Sequence, residues 1–337
     1  PKRRLFILLV LITFILTGLW ILDAYCGSQT QNSREKLKLP AGFEIAIWAE
    51  GVDNARSMCL GAEGTLFVGS RKAGKVYALP DWDGDNQADE VIVIAEGYQM
   101  PVGVTFRDGD LFFSATSEIY CFRDIENKLK DPGEPELISD AFPTETHHGW
   151  KFIDFGPDDK LYVPVGAPCN ICNEDQDQYA NIMRMNPDGS NLETYCRGVR
   201  NTVGFDWHPE TKELWFTDNG RDWMGDDLPP CELNKASQKD MHFGYPFCHG
   251  DGIPDPEFGE HMNCSDYTAP EFNFGAHTAP LGMCFYDGNA FPENYRGNIF
   301  VALHGSWNRS TKVGYQVLSM ELNNSGEPLK SEVFVDG

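Results

Sequence analysis

Short apolar runs, each opened by a turn residue, recur along this chain. They are Gly64-Thr-Leu-Phe-Val, Gly109-Asp-Leu-Phe-Phe, Asp159-Lys-Leu-Tyr-Val, Lys212-Glu-Leu-Trp-Phe and Gly297-Asn-Ile-Phe-Val. Most are followed by a second strand-like run, such as Gly74-Lys-Val-Tyr-Ala-Leu, Ser117-Glu-Ile-Tyr-Cys-Phe or Gly314-Tyr-Gln-Val-Leu. Alternation with period two, or a wholly apolar stretch punctuated by Gly, Asp, Asn or Pro, predicts β-strands. The strands expected from the phrases are 65–69, 110–114, 160–164, 213–217 and 298–302. The first four phrases start 45 to 53 residues apart, the spacing of a four-stranded propeller blade. The interval to the last is nearly twice as long and leaves room for one further blade or a long insertion. Long amphipathic helical windows are absent after residue 40. A β-sandwich also has many short strands, but it does not explain a phrase repeated at this period. The pattern predicts an all-β, six-bladed β-propeller, its last blade incomplete where the chain stops at Gly337. Phe43-Glu-Ile-Ala-Ile-Trp-Ala is the candidate strand for closing the ring.

The first residues follow a different pattern. Lys2, Arg3 and Arg4 precede an apolar run, Leu5–Leu22, that ends at Asp23. This reads as a signal peptide or an uncleaved membrane anchor over residues 1–26. The basic flank stays in the cytoplasm and sends the rest across. Cys26 suggests a lipoprotein, but Tyr25 is too bulky for a good lipobox. A polar linker, 27–39, then leads into the propeller domain, 40–337. The expected location is therefore periplasmic or extracellular, with possible anchoring in the membrane.

Charge narrows the partners. With 51 acidic and 27 basic residues the net charge is −24, which repels phosphate backbones and argues against nucleic-acid binding. Nine cysteines follow the N-terminal segment: Cys59, Cys121, Cys169, Cys172, Cys196, Cys231, Cys248, Cys264 and Cys284. In an exported protein that number favours disulfides, and an odd count leaves at least one thiol over. Cys169-Asn-Ile-Cys172 lacks the second half of a zinc site, so a local disulfide in a loop near the active-site face is expected. Cys59, Cys121 and Cys284 lie inside apolar runs and are expected in the core.

Three motifs carry chemistry. The first is Thr146-His147-His148-Gly149-Trp150 with Phe155-Gly156-Pro157-Asp158-Asp159 after it. The second is Gly198-Val199-Arg200-Asn201-Thr202-Val203-Gly204. The third is Thr217-Asp218-Asn219-Gly220-Arg221-Asp222, followed by Glu232-Leu233-Asn234 and Phe243-Gly244-Tyr245-Pro246. Together with Ala279-Pro280-Leu281-Gly282 and His304-Gly305-Ser306-Trp307-Asn308-Arg309, they stand in the order found in the pyrroloquinoline-quinone (PQQ) dependent glucose/sorbosone dehydrogenases, which this chain resembles. The resemblance implies oxidation of an aldose or sorbosone-like aldehyde by hydride transfer to PQQ, with Ca²⁺ as second cofactor and an external quinone or cytochrome as electron acceptor. By resemblance His148 is the catalytic base, a role that suits a neutral imidazole near neutral pH. Arg200 and Asn201 would face the quinone oxygen that gains negative charge. The carbonyls of Gly220 and Arg221 would bind Ca²⁺, which accepts backbone oxygens readily. Gln99, His304 and Arg309 are further candidates for the cofactor side. His147 replaces an acidic residue usual in the glucose enzymes, so the partner that orients His148 is open. Two further arginines of the family's cofactor clamp would fall after Gly337.

Other readings compete. A propeller that binds without catalysis would keep the scaffold and lose the cofactor. A Ca²⁺-dependent lactonase-type propeller would use Asp218, Asp222 and Glu232 and leave His148, Arg200 and Asn201 unexplained. Asp81-Trp-Asp83-Gly-Asp85-Asn-Gln-Ala-Asp89 reads either as a calcium loop or as an acidic hairpin loop, without the glycine and glutamate of an EF-hand. Asn263, Asn308 and Asn323 begin glycosylation sequons, which matter only in a secreted eukaryotic protein.

Overall fold

The computed structural model describes residues 36–323 and 325–337. The expected signal or anchor and most of the linker lie outside the described residues. No helix among those described is long and apolar enough to cross a membrane.

Five four-stranded antiparallel sheets follow one another along the chain. Blade 1 holds β1 (Ala55–Leu60), β2 (Leu66–Ser70), β3 (Lys75–Leu79) and β4 (Ile92–Glu96). Blade 2 holds β5 (Val104–Arg107), β6 (Asp110–Ser114), β7 (Ile119–Phe122) and β8 (Glu136–Ser139). Blade 3 holds β9 (Asp154–Phe155), β10 (Leu161–Val165), β11 (Asn181–Met185) and β12 (Glu193–Arg197). Blade 4 is built from β13 (Phe205–Trp207), β14 (Leu214–Asp218), β15 (Pro230–Ala236) and β18 (Phe272–Ala276), with a small hairpin, β16 (Cys248–His249) and β17 (Ile253–Pro254), inserted before its last strand. Blade 5 holds β19 (Pro280–Phe285), β20 (Ile299–Leu303), β21 (Gln316–Leu322) and β22 (Pro328–Asp336).

The repeated phrase is the second strand of every blade, within one residue of the span expected from sequence. In blades 2, 3 and 4 the sheet packs against a neighbour on either side, so this strand is buried on both faces; in blade 5 Phe300 is half-buried and Ala302 exposed. Phe67 and Val76 of blade 1 meet Val104, Leu111 and Phe113 of blade 2. Phe112 and Ile119 of blade 2 meet Leu161 and Val163 of blade 3, and Tyr162 and Ile182 of blade 3 meet Phe205 and Phe216 of blade 4. Trp215 and Leu233 of blade 4 meet Met283, Ile299 and Val301 of blade 5. Each fully buried side chain of this size contributes roughly 1.5–3 kcal/mol by leaving water. The first strands of adjacent blades also touch, β1 with β5, β5 with β9 and β13 with β19. Such close approach needs small residues: a Cβ on Gly103 would lie 2.2 Å from the Lys151 carbonyl oxygen.

The structure departs from several expectations. The described residues form five blades and a sixth is not confirmed; the long interval before the last phrase holds the inserted hairpin and its Cys248–Cys264 disulfide rather than another blade. The last blade has all four of its strands. Residues 43–49 form no strand, although Trp48 and Ala49 pack against Val68, Tyr77 and Leu79. Cys121 is buried as expected, but Cys59 is half-buried and Cys284 exposed. In β19 it is Met283 and Phe285, on either side of Cys284, that point into the core.

Two compact units divide the chain. Ile47–Val333 form the larger. In the smaller, the backbones of Lys38 and Asp336 exchange two hydrogen bonds of 2.8 and 3.1 Å, and the Phe43 and Phe334 rings meet edge to face at 4.8 Å.

Candidate active site

The turns that leave the blades on one side surround a cavity of about 540 Å³. His148, Arg200, Asn201 and Gly220, far apart in sequence, all line it.

His148 sits in the turn before β9 with φ 51, a left-handed conformation uncommon for a residue with a side chain. Gly166, just past β10, makes room for it: a Cβ there would lie 2.5 Å from the His148 Cβ. The ring Nδ1 is 2.8 Å from the Ala167 carbonyl oxygen. A carbonyl can only accept, so Nδ1 carries the proton and Nε2 keeps its lone pair. The backbone of Ala167 thus fixes the tautomer without a carboxylate. Burial first, then the Arg200 charge and His147, hold the His148 pKa well below the usual imidazole value.

Arg200 is buried and held by oxygens that carry no full charge. Its Nε donates to the Asn170 carbonyl at 2.8 Å, Nη1 to the Asn219 carbonyl at 3.0 Å and Nη2 to the Asn170 Oδ1 at 3.0 Å. Three of the five N–H groups of a guanidinium are then used, which leaves two unengaged. Asn170 lies between Cys169 and Cys172, which form the expected local disulfide. That small loop therefore holds the amide that aims Arg200. Below it, the Asp218 carboxylate accepts the backbone N–H of Arg200 at 2.8 Å and of Asn201 at 2.6 Å. Asp218 faces Glu232 across the β14–β15 pair. Burial pushes Asp218 up to about 6; burial and then the charge of Asp218 push Glu232 up to about 7. Both side chains serve the frame rather than the cavity wall, where neither is found.

Arg71 is a second cation on the wall, its guanidinium 4.1 Å from the centre of the Trp150 ring. Neither Arg71 nor Arg200 has a carboxylate ion pair among the described residues. In a chain of net charge −24, two such arginines in one cavity mark it for an anion. Among the described residues the buried Trp150 Nε1–H has no partner and the Asn201 amide makes no side-chain bond. The wall thus offers several unengaged donors beside the Asp222 carboxylate and the Asn219 Oδ1, which suits an anionic ligand with carboxylate and carbonyl oxygens.

Several candidates lie elsewhere. Arg221 is not on the wall; its guanidinium is buried against Asp255 and Glu257, each at 2.7 Å. The Gly220 carbonyl beside it takes no hydrogen bond from the described residues. Gln99 is off the wall, its carbonyl accepting from Thr116. His304 is exposed, and Arg309 is committed to the Asp226 carbonyl and to Asp227 at 2.9 Å. The carboxylates of Asp81, Asp83 and Asp89 do come together in an exposed loop, where backbone N–H groups of residues 84–86 already occupy both oxygens of Asp81. Wall residues that sequence reasoning did not assign include Arg71, Asn219, His277 and Trp307, and Asp222 was named there only for the lactonase-type alternative. Arg71 and Asn219 each follow directly on the second strand of a blade, a position the repeated phrase itself could have flagged.

A model of the TrAA12-like family matches residues 37–334. The chain belongs to that family. The resemblance to PQQ-dependent sugar dehydrogenases that the motifs suggested is thereby shown. Among solved structures, the holo PQQ domain of pyranose dehydrogenase from Coprinopsis cinerea aligns with TM-score 0.73 and 18% identity, over 89% of this chain and 86% of that one. The calcium structure of a Trichoderma reesei carbohydrate-active enzyme of family AA12 gives 0.75 and 19%, over 89% and 87%. The PQQ-bound aldose sugar dehydrogenase from Streptomyces coelicolor gives 0.64 and 18%, over 89% and 85%. An uncharacterised protein of Borreliella burgdorferi is 30% identical over 300 residues, 86% of this chain and 77% of that protein. At the identities of the solved structures the likeness speaks for the propeller fold.

Proposed function

We propose that this member of the TrAA12-like family oxidises a sugar or sugar-derived aldehyde with PQQ, and that the cavity is its active site. The observation that carries the reading is the convergence of His148, Arg200, Asn201 and Gly220 on one wall. A wall with several unengaged donors and two cations free of carboxylate partners fits a tricarboxylated quinone. Arg71, stacked on Trp150, and Arg200 would hold its anionic groups, a role that sequence reasoning gave to His304 and Arg309. The Gly220 carbonyl, with the neighbouring Asp222 carboxylate, would give Ca²⁺ hard oxygen ligands. When bound, PQQ supplies the two-electron acceptor for hydride.

The residues of the chain do the rest. His148 Nε2, unprotonated because Nδ1–H is tied to Ala167, takes the hydroxyl proton of the substrate. The unengaged N–H groups of Arg200 and the amide of Asn201 are oriented before the reaction by Asn170, Asn219 and Asp218. Fixed donors of this kind favour developing negative charge without reorganising at the moment of reaction. Electrons would leave to an external quinone or cytochrome, and the two disulfides favour a compartment outside the cytosol.

The test is dye reduction with added PQQ, Ca²⁺ and an aldose. His148→Ala should lower turnover by ~10²–10⁴ with cofactor binding nearly intact, whereas Arg200→Ala should weaken both. A His148→Ala variant as fast as wild type would refute the assignment of the base. Absence of sugar-dependent dye reduction in the wild type with PQQ and Ca²⁺ present would instead favour the non-catalytic binding propeller.

A further inference from the structure

Two tryptophans stand in solvent beside the cavity. Trp307 lines it and is 67% exposed; Trp223 is 68% exposed; their ring centres are 5.7 Å apart at 86°. Burial does not hold these rings in place. Trp223 has φ 71, a left-handed backbone that a bulky side chain disfavours and that needs support from its surroundings. That support is visible. The loop after β14 and the loop after β20 are tied together by Asn308 Nδ2 to Asp222 Oδ1 at 3.3 Å, Arg309 to Asp227 at 2.9 Å and the Ser310 N–H to Asp226 at 3.1 Å. The indoles are therefore presented as a fixed corner, continuous with the cavity and flanked by three carboxylates.

A corner of this kind suits a sugar ring. The C–H face of a pyranose stacks on an indole, and its hydroxyls donate to carboxylates at the edge; tryptophan combines a large apolar face with a low entropy cost of ordering. A protein partner would need a wider apolar patch, but the residues that follow Trp223 and Trp307 include Asp226, Asp227 and Arg309. We propose that Trp223 and Trp307 form a second sugar subsite outside the cavity, so that the substrate is an oligosaccharide whose terminal residue enters the cavity while the next stacks on the indoles. The identity of the inner residue as the one oxidised rests on the function proposed above; binding at the outer subsite does not.

The experiment titrates the purified chain with glucose, maltotetraose and cellotetraose by calorimetry and tryptophan fluorescence, first without added cofactor, and then assays dye and cytochrome reduction with PQQ and Ca²⁺ added. A tetrasaccharide should bind roughly tenfold tighter than glucose and perturb the fluorescence. Trp223→Ala should remove roughly three- to tenfold of that advantage and leave glucose binding unchanged. Trp223→Tyr should retain most of the advantage. Trp223→Gly, which relieves the backbone, should lose it in a protein at least as stable as wild type. Equal affinity for glucose and both tetrasaccharides would overturn the proposal. So would a Trp223→Ala variant that keeps the full advantage and instead slows transfer to a cytochrome acceptor, since the corner would then serve electron transfer. Tetrasaccharide binding without any dye reduction would leave the subsite standing and defeat only the oxidation reading.

Discussion

Adding one methyl group behind His148 tests how tightly the site must be built. Gly166 has an ordinary backbone conformation, so Gly166→Ala changes contacts and not φ. The new carbon would lie 2.5 Å from the His148 Cβ, 2.9 Å from its carbonyl oxygen and 3.4 Å from the Arg200 carbonyl oxygen. Carbon atoms rest about 3.5–4.0 Å apart, so the His148 turn must retreat by about 1 Å or more. Overpacking of this order costs about 1–3 kcal/mol of stability. A displacement of about 1 Å at a reacting group lowers turnover by ~10². The loss should fall on kcat, because Arg71 and Arg200 are moved little or not at all. Stopped-flow dye reduction gives kcat, PQQ titration gives cofactor affinity, and thermal melting gives stability. Gly282→Ala is the control, since a Cβ there meets nothing within 4 Å. A folded Gly166→Ala protein with a kcat within about twofold of wild type would show that His148 does not need this placement.

The pH profile and the inserted disulfide supply two more checks. The folded pKa of His148 is depressed below 6.5, so the base is neutral at and above that value, and the acid limb of kcat/KM should fall below pH 6.5; a limb centred at pH 7 or higher would contradict the burial argument. The same shift means that unfolded chains bind a proton which the native state does not, so His148 withdraws stability as pH falls through 6.5. Cys248→Ser should open a loop of 16 residues and cost about 3 kcal/mol, read as a lower denaturation midpoint, while the cavity, which Cys248 does not line, keeps its PQQ affinity; an unchanged midpoint would show that the bridge does not hold the insertion.

The blades were readable because the second strand of each carries an apolar run, buried on both faces in blades 1 to 4 and on the face of Ile299, Val301 and Leu303 in blade 5. What fills the long interval before the last phrase was not, since the insertion between residues 237 and 271 carries only a two-stranded hairpin and a disulfide. The residues that line the cavity were half legible for a similar reason. His148, Arg200, Asn201 and Gly220 stand in local motifs, so each could be picked out alone. Arg71 and Asn170 matter through what they meet across the cavity, Trp150 and Arg200 respectively, and no local pattern marks such a meeting. His304 and Arg309 stand near the expected position but do not line the cavity, Arg309 being held by Asp226 and Asp227. The partner that orients His148 was sought among carboxylates, yet a main-chain carbonyl does the work, and main-chain acceptors are invisible in sequence.

The central claim is that this cavity binds PQQ and uses it to oxidise sugar. The most direct measurement is titration of PQQ into the purified protein with Ca²⁺ present, followed in the same sample by aldose-dependent reduction of a dye. The expected result is saturable binding of one PQQ per chain, weakened by Arg200→Ala, and dye reduction that needs sugar, PQQ and Ca²⁺ together. Absence of PQQ binding at saturating Ca²⁺, or dye reduction that proceeds equally well without PQQ, would contradict it.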